Sequence, residues 1–170
     1  QVGPLVTIEP DGILYIKVKN SDAPEIVERT LGKGEAIERL LYRDPVTGLL
    51  KRGKGEIDFY ARQDRRVLAD CGHADPEDIH EFIARNGYRA ARKAIFEMTS
   101  AEICEVVKCS GLRGRGGAGF PTGRKWELAL RQAEAEKYII CNGDEGDPGA
   151  FMDRSVLEGN PHSVLEGMIV

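Results

Sequence analysis

The chain has 170 residues, of which 41% are hydrophobic and 31% are charged, and its formal net charge is −4 at pH 7. This composition predicts a soluble globular protein with room for one ordinary domain or two small ones. The acidic balance argues against a general nucleic-acid-binding protein, and no apolar run approaches the roughly 18 residues of a membrane span. The four cysteines are scattered along the chain, which favours a reducing, cytosolic setting.

The first part of the chain predicts strands followed by helices. Residues 4–18 alternate apolar and polar side chains on both sides of a Pro-Asp-Gly turn, which predicts a β-hairpin. A helix is predicted to begin at Ser21 or Asp22 and to end at Gly32. Residues 45–54, rich in basic residues with Gly and Pro, indicate a linker. Residues 56–72 are interpreted as a strand, a turn and a second strand.

The second part predicts mainly helices. Apolar residues recur at helical spacing over 73–110, and Thr99 and Glu102 fit a capping box at the start of one helix. Another helix is predicted from about Thr122 and a further helical segment over 155–170. Between them, residues 137–141 predict a short buried strand.

Residues 111–126 read GLRGRGGAGFPTGRKW and contain four basic side chains and no acidic one. Residues 114–119 fit the dinucleotide pattern G-x-G-x-x-G, but a helix rather than a strand precedes them, so the usual Rossmann context is missing. Bare glycines still allow a ligand to approach backbone N–H groups, and the cations favour phosphate. A solvated flexible loop and an RNA-binding arginine–glycine segment remain alternatives.

Residues 141–153 read CNGDEGDPGAFMD and place several acceptors after the predicted strand. Asp144, Glu145 and Asp147 would repel one another unless a ligand donates hydrogen bonds to them. Sugar hydroxyls, a flavin ring N–H, a carboxamide or Ca²⁺ could do so, although the spacing of a calcium loop is absent. An acidic surface turn is the alternative interpretation. Together, the two segments predict a nucleotide pocket.

The two segments resemble the flavin-binding NADH dehydrogenase subunit of respiratory complex I and its relatives in NAD-linked hydrogenases and formate dehydrogenases, over about residues 71–170. Residues 1–47 resemble the C-terminal half of a thioredoxin-like [2Fe–2S] ferredoxin domain. The resemblance implies an α/β fold: a partial thioredoxin-like ferredoxin domain over 1–47, a linker over 48–72, and the N-terminal part of a Rossmann-like FMN-binding domain over 73–170.

The resemblance also implies the cofactors FMN and NAD, with iron–sulfur clusters ([2Fe–2S] and [4Fe–4S]) in flanking regions and no metal ligand in this chain. No side chain is expected to be catalytic, because the chemistry belongs to the cofactors. Asp147 stands where many family members carry glutamate. The cofactor-binding residues implied are Gly114, Arg115, Gly116, Gly117, Ala118, Gly119, Phe120, Pro121, Thr122, Gly123, Lys125, Asn142, Asp144, Glu145 and Asp147.

The function implied is that of a fragment of an NADH:acceptor oxidoreductase, in which hydride passes from nicotinamide to flavin and electrons continue to iron–sulfur clusters. The alternative is a non-catalytic nucleotide-binding or assembly domain of a redox complex. The implied partners are NADH and other subunits of a multi-subunit complex, with neither nucleic acid nor direct membrane insertion. The implied location is cytoplasmic, including the inner face of a membrane through partner subunits. The fragment alone is expected to be inactive.

Overall fold

The computed structural model describes residues 2–170. The chain divides into two compact units, a first unit that ends at Asp64 and a second unit from Arg65 to Val170. The assignment of residues 1–47 and 73–170 to two domains stays a prediction.

The first unit begins with the predicted hairpin. Strands β1 (Leu5–Ile8) and β2 (Ile13–Ile16) pair antiparallel, with Leu5 opposite Ile16 and Ile8 opposite Ile13. Gly12 supplies a positive φ of 66° in the turn between them, a conformation that glycine adopts without strain. The alternating pattern therefore identified both strands and their turn.

The core of the first unit forms around strand β2. Tyr15 is fully buried, and its hydroxyl accepts a hydrogen bond from the backbone N–H of Ile37 at 3.0 Å. The same hydroxyl lies 2.7 Å from Oγ1 of Thr30, which itself donates to the carbonyl of Glu35. Because these buried polar groups satisfy one another, the tyrosine ring packs in the core without the penalty of an unpaired hydroxyl. The buried apolar residues of this core are Ile13, Tyr15, Ile26, Ile37, Leu40 and Leu41.

The predicted helix after the hairpin is present in three pieces. A 3₁₀ turn over Asn20–Asp22 leads into α1 (Ala23–Glu25) and then a π-helical segment over Ile26–Leu31. Gly32 and Lys33 are still helical, so the helix ends just beyond the predicted Gly32, before Gly34 with its positive φ of 71°. A further 3₁₀ turn covers Glu38–Leu40.

The region predicted as linker and strands contains regular structure of a different kind. Strands β3 (Tyr42–Arg43) and β4 (Leu50–Lys51) form a second short hairpin. A 3₁₀ turn over Lys54–Glu56 and helix α2 (Asp58–Ala61) follow. The strand–turn–strand interpretation of residues 56–72 is therefore wrong.

Local hydrogen bonds explain this outcome. The side chain of Ile57 is buried, and its carbonyl accepts hydrogen bonds from the N–H groups of Tyr60 and Ala61, both at 2.9 Å. These bonds close a helical turn, so the backbone groups that a strand would offer to a neighbour are already used.

The second unit contains helices and no strand pair among its described residues. The capping box predicted at Thr99 is present: its Oγ1 accepts from the N–H of Glu102 at 3.3 Å, and the Glu102 carboxylate accepts from the Thr99 N–H at 2.8 Å. No helix in the described part of the chain is long and apolar enough to cross a membrane. The helices are α3 (Ile79–Ala84), α4 (Arg89–Glu97), α5 (Ser100–Cys109), α6 (Thr122–Leu130), α7 (Met152–Gly159) and α8 (Pro161–Ile169).

Helix α8 packs against the start of helix α4. The Glu166 carboxylate accepts hydrogen bonds from the N–H groups of Ala90 and Ala91 at 2.9 and 3.2 Å, in the first turn of α4. Nδ1 of His162 lies 2.9 Å from the Tyr88 hydroxyl. These contacts join residues more than 70 positions apart, and no local sequence pattern identifies them.

The buried strand predicted over 137–141 is wrong for this structure. The residues adopt no regular secondary structure, and Tyr138, Ile139 and Ile140 are 79%, 67% and 85% exposed. A strand needs a neighbour to satisfy its backbone groups, and the described residues of the second unit contain no strand beside this segment.

Candidate functional site

The glycine loop, residues 111–121, connects helix α5 to helix α6. Its base is closed by two backbone hydrogen bonds of 2.9 Å, from the N–H of Gly114 to the carbonyl of Phe120 and from the N–H of Thr122 to the carbonyl of Leu112. The guanidinium of Arg113 also donates to the carbonyl of Gly119 at 3.1 Å. The loop is therefore held at its base, which disfavours the interpretation as a solvated flexible loop.

The tip of the glycine loop presents unused hydrogen-bond donors. Within the described residues, no backbone N–H from Arg115 to Phe120 donates a hydrogen bond to the protein. Gly117 and Gly119 have φ values of 98° and 61°, in the region that favours glycine. The tip can therefore approach an acceptor-rich ligand through its main chain.

Basic and aromatic side chains flank this tip. Arg124 and Lys125 lie in the first turn of α6, where the helix N-terminus also favours anions, and both are exposed. Neither forms an ion pair with another described residue, and the same is true of Arg115 at the tip. The ring of Phe120 is 45% exposed. This arrangement suits a phosphorylated ligand with a planar ring.

Gly123 differs from the other glycines of the predicted site. It is buried, and a Cβ at this position would lie 2.4 Å from the backbone nitrogen of Lys108. The absence of a side chain at Gly123 therefore permits helices α5 and α6 to pack closely. This packing positions the two ends of the glycine loop.

The acidic segment, residues 142–150, precedes helix α7. Oδ1 of Asn142 accepts a hydrogen bond from the N–H of Asp144 at 2.9 Å, which fixes a local turn. The side chains of Asp144 and Asp147 are exposed and have no hydrogen-bond partner within the described residues. Their carboxylates therefore remain available as acceptors for a ligand.

Glu145 has a structural contact that the sequence did not indicate. Its two carboxylate oxygens accept hydrogen bonds from the N–H groups of Asp153 and Arg154, at 2.9 and 3.2 Å. These N–H groups belong to the first turn of α7 and lack partners inside the helix. The hydrogen bond from Asp153, followed by those from Arg154 and Met152, lowers the pKa of Glu145, although partial burial opposes this effect.

The structure places the two segments in the same unit without joining them directly. No hydrogen bond or ion pair connects residues 111–123 with residues 142–150 among the residues described. A cavity of about 260 Å³ lies beside Asn142 and Gly143. A second cavity, of about 310 Å³, is lined by Trp126, Lys137 and Ile139 among others. Neither of these two cavities includes the glycine loop, so convergence of both segments on one ligand stays a prediction.

Comparison with known proteins gives a family match over the same region. Residues 107–170 match the Nuo51 FMN-binding domain. This range includes the last part of α5, the glycine loop, α6, the acidic segment and both C-terminal helices. Residues 107–170 are thus similar to FMN-binding domains of the Nuo51 type.

Curated relatives agree with this class. The chain is 55% identical over 109 residues to the NADP-reducing hydrogenase subunit HndC of Solidesulfovibrio fructosivorans. The aligned region covers 64% of this chain and 22% of that relative. It is 56% identical over 106 residues to an NADH-quinone oxidoreductase subunit of Rhizobium meliloti (strain 1021), and this alignment covers 62% of this chain and 24% of the relative. It is 44% identical over 96 residues to the corresponding NADH-quinone oxidoreductase subunit of Escherichia coli (strain K12), and this alignment covers 56% of this chain and 22% of the relative.

The predicted relationship to the flavin-binding NADH dehydrogenase subunit and its hydrogenase relatives is confirmed by these matches. The chain spans between a fifth and a quarter of the length of these relatives. The ferredoxin-like origin of residues 1–47 stays a prediction.

Proposed function

We propose that residues 73–170 are the N-terminal part of an FMN- and NADH-binding domain in an oxidoreductase subunit. The whole protein would pass a hydride from nicotinamide to flavin, and electrons would continue to iron–sulfur clusters in other regions. The family match over residues 107–170 is the observation that carries this proposal. The names of the hydrogenase and quinone oxidoreductase relatives support it.

The glycine loop fits the phosphate of such a cofactor. Its tip offers a run of N–H groups from Arg115 to Phe120 that have no partner in the described part of the chain, and Lys125 lies in the first turn of the helix that follows. Backbone N–H groups, a helix N-terminus and a cation are the groups that proteins use to bind phosphate. Gly114, Gly116, Gly117, Ala118 and Gly119 would contact the ligand mainly through the backbone, whereas Pro121, Thr122 and Gly123 would fix the start of α6.

The acidic segment fits the polar groups of a sugar chain and a planar ring. Asp144 and Asp147 have exposed carboxylates that can accept hydrogen bonds from hydroxyl or ring N–H groups. Glu145 already accepts from the backbone of α7, so we assign it the role of holding the acidic segment on that helix. Asn142 would stabilise the turn before Asp144.

The proposed contribution of the chain is binding and orientation. FMN, when bound, would supply the hydride-accepting chemistry, as redox cofactors do in flavoproteins. The glycine loop would bind phosphate, the exposed ring of Phe120 would offer a stacking surface, and Asp144 and Asp147 would orient the polar edge of a ligand. No step of proton transfer is assigned to a side chain.

The partners and location follow the same proposal. The relatives are named as subunits of a hydrogenase and of NADH-quinone oxidoreductases. The present protein would therefore act with other redox subunits, in the cytoplasm or at the inner face of a membrane through those partners.

The proposal is tested by an FMN titration of the purified protein, with flavin fluorescence as the readout. Lys125→Ala should weaken FMN binding by about 1–3 kcal/mol, the size of one charged hydrogen bond, or roughly 5- to 150-fold in Kd. The matched control is Lys93→Ala, which removes an exposed lysine from helix α4, outside both segments.

Equal affinities for the wild type, the Lys125 variant and the Lys93 variant would contradict the assignment of Lys125. Absence of FMN binding by the wild type, together with retention of RNA in a salt-dependent manner, would favour the arginine–glycine interpretation instead.

A further inference from the structure

The first unit contains a concave surface that the proposed flavin site does not use. It has a volume of about 690 Å³, which is within the range of binding clefts in proteins. We name it the basic groove. The lining residues include Lys17, Lys19, Asp22, Arg43 and Leu50.

The charges of the basic groove are unbalanced in favour of cations. Four basic residues and two acidic residues line it, although the whole chain has a net charge of −4. Arg39 is ion-paired with Asp22 and Glu25, so the other three cations carry the excess positive charge. Lys17 and Lys19 are exposed, and neither side chain has a hydrogen-bond or ion-pair partner within the described residues. Arg43 donates one hydrogen bond, to the carbonyl of Gly48 at 2.7 Å, which leaves most of its N–H groups free.

One acidic residue of the groove is already engaged in the fold. Asp22 is buried, and its carboxylate accepts from the backbone N–H of Lys19 at 2.8 Å and from the guanidinium of Arg39 at 2.9 Å. The hydrogen bond from Lys19, together with Arg39, lowers the pKa of Asp22 despite burial. Asp22 therefore fixes the backbone at Lys19 and the guanidinium of Arg39. The other acidic lining residue, Glu38, is exposed.

Apolar side chains form part of the same surface. Val2 is 39% exposed and Ile16 and Leu50 are half-buried, whereas Leu40 and Leu41 belong to the buried core. A small inorganic anion would pair with the cations but would leave this apolar surface exposed to water. A peptide that combines carboxylates with an apolar side chain would cover both.

We propose that the basic groove binds an acidic, partly apolar peptide segment of a partner protein. Lys17 and Lys19 attract the carboxylates, and Arg43 adds a positioned guanidinium. The apolar surface formed by Val2, Ile16 and Leu50 receives an apolar side chain. This inference rests on the first unit alone and is independent of the flavin proposal.

The experiment measures fluorescence anisotropy of a fluorescein-labelled peptide that alternates Glu-Asp pairs with Leu, titrated with the whole chain. We expect binding at low salt that weakens as NaCl is added, because the contacts are exposed and screened. The double variant Lys17→Glu/Lys19→Glu should weaken binding roughly tenfold or more. The matched control, Lys33→Glu/Lys54→Glu, makes the same charge change in the first unit outside the groove and should bind as the wild type does.

The proposal would be overturned by no binding of the peptide to the wild type, by equal losses of affinity in the two double variants, or by binding that salt does not weaken. Displacement of the peptide by inorganic phosphate at far lower concentration than by unlabelled peptide would identify a small-anion site instead, and would also overturn it. Lys19→Glu alone, checked for folding by circular dichroism, provides a milder variant if the double one unfolds.

Discussion

At the scale of single residues, two glycines of the predicted site have different physical roles. Gly123 is buried against the backbone of Lys108. Apart from the two chain neighbours of Gly116, no described residue has an atom within 4 Å of the position that a Cβ at Gly116 would take. The first permits two helices to approach, and the second leaves the loop tip bare for a ligand. The sequence pattern treats these glycines alike, and only the packing of α5 on α6 separates them.

Gly123→Ala is expected to destabilise the second unit. The added Cβ would lie 2.4 Å from a backbone nitrogen, which cannot move without shifting helix α5, so we expect a loss of about 1–3 kcal/mol. Urea unfolding followed by the fluorescence of Trp126, the single tryptophan of the chain, measures it. Gly116→Ala is the control and should change stability by no more than about 0.5 kcal/mol. Similar losses at both positions would show that α5 and α6 do not pack as described.

Glu145 should make the stability of the second unit depend on pH. Its hydrogen bonds to the N–H groups of α7 lower its pKa from the ordinary value of 4.5 in the folded state. The unfolded chain therefore binds this proton more tightly, and the contribution of Glu145 is fully present above about pH 4.5 and is lost as the pH falls through the lowered folded value. The destabilisation caused by Glu145→Gln, measured by urea unfolding from pH 7 to pH 3, should accordingly be largest near neutrality and shrink in acid.

Asp147→Asn is the control for this titration, because the Asp147 carboxylate is exposed and accepts no hydrogen bond from a described residue. If the effect of Glu145→Gln were the same at pH 3 and pH 7, the capping contact would not involve the charged carboxylate.

At the scale of elements, the sequence identified the structures that depend on local signals. The hairpin of β1 and β2 follows from alternation around a glycine turn, and α5 follows from a capping box whose hydrogen bonds are all within four residues. The second hairpin, α2 and the cap of α7 by Glu145 were not identified. Their determinants are the burial of Ile57 and a contact that spans eight residues, neither of which appears in a periodic pattern.

The segment 137–141 shows the limit of the same approach. Its apolar residues gave a strand prediction, since β-branched and aromatic residues favour strands. Strand formation also requires a hydrogen-bonded neighbour, and the described residues of the second unit supply none. The amino-acid composition of a segment indicates a preference for strand structure, but a strand forms only where a neighbouring strand is available to share its hydrogen bonds.

Ile140→Lys distinguishes the exposed segment from a buried strand. Because Ile140 is 85% exposed, the change should alter the free energy of unfolding of this chain by no more than about 0.5 kcal/mol. Trp126 fluorescence during urea unfolding is the measurement. Ala94→Lys is the contrasting variant, since Ala94 is 6% exposed in helix α4 and an unpaired buried charge is costly. If Ile140→Lys lowered the free energy of unfolding by several kcal/mol, Ile140 would be buried, as in the predicted strand.

At the scale of the whole molecule, the chain combines two compact units with different surface chemistry. The first unit contains the hydrogen-bonded tyrosine core and the basic groove. The second contains the family match, the glycine loop and the acidic segment. The resemblance of two short motifs agrees with the family match over residues 107–170, because the spacing of their glycines and carboxylates is specific. The arrangement of the motifs in space depends on helix packing that those motifs do not contain.

Limited digestion with trypsin should report on both units at once. Residues 61–67 are exposed around the boundary at Asp64, and the glycine loop exposes Arg113 and Arg115, so both regions are expected to be cleaved early. If the glycine loop binds phosphate through its backbone, FMN should slow cleavage after Arg115 and leave cleavage after Arg65 and Arg66 unchanged. Mass spectrometry of the fragments over time measures both rates in one sample, with riboflavin, which lacks the phosphate, as the matched control ligand. Equal protection by riboflavin would show that the loop contacts the flavin ring rather than the phosphate. Uniform slowing of cleavage at all sites would indicate inhibition of the protease rather than binding at the loop.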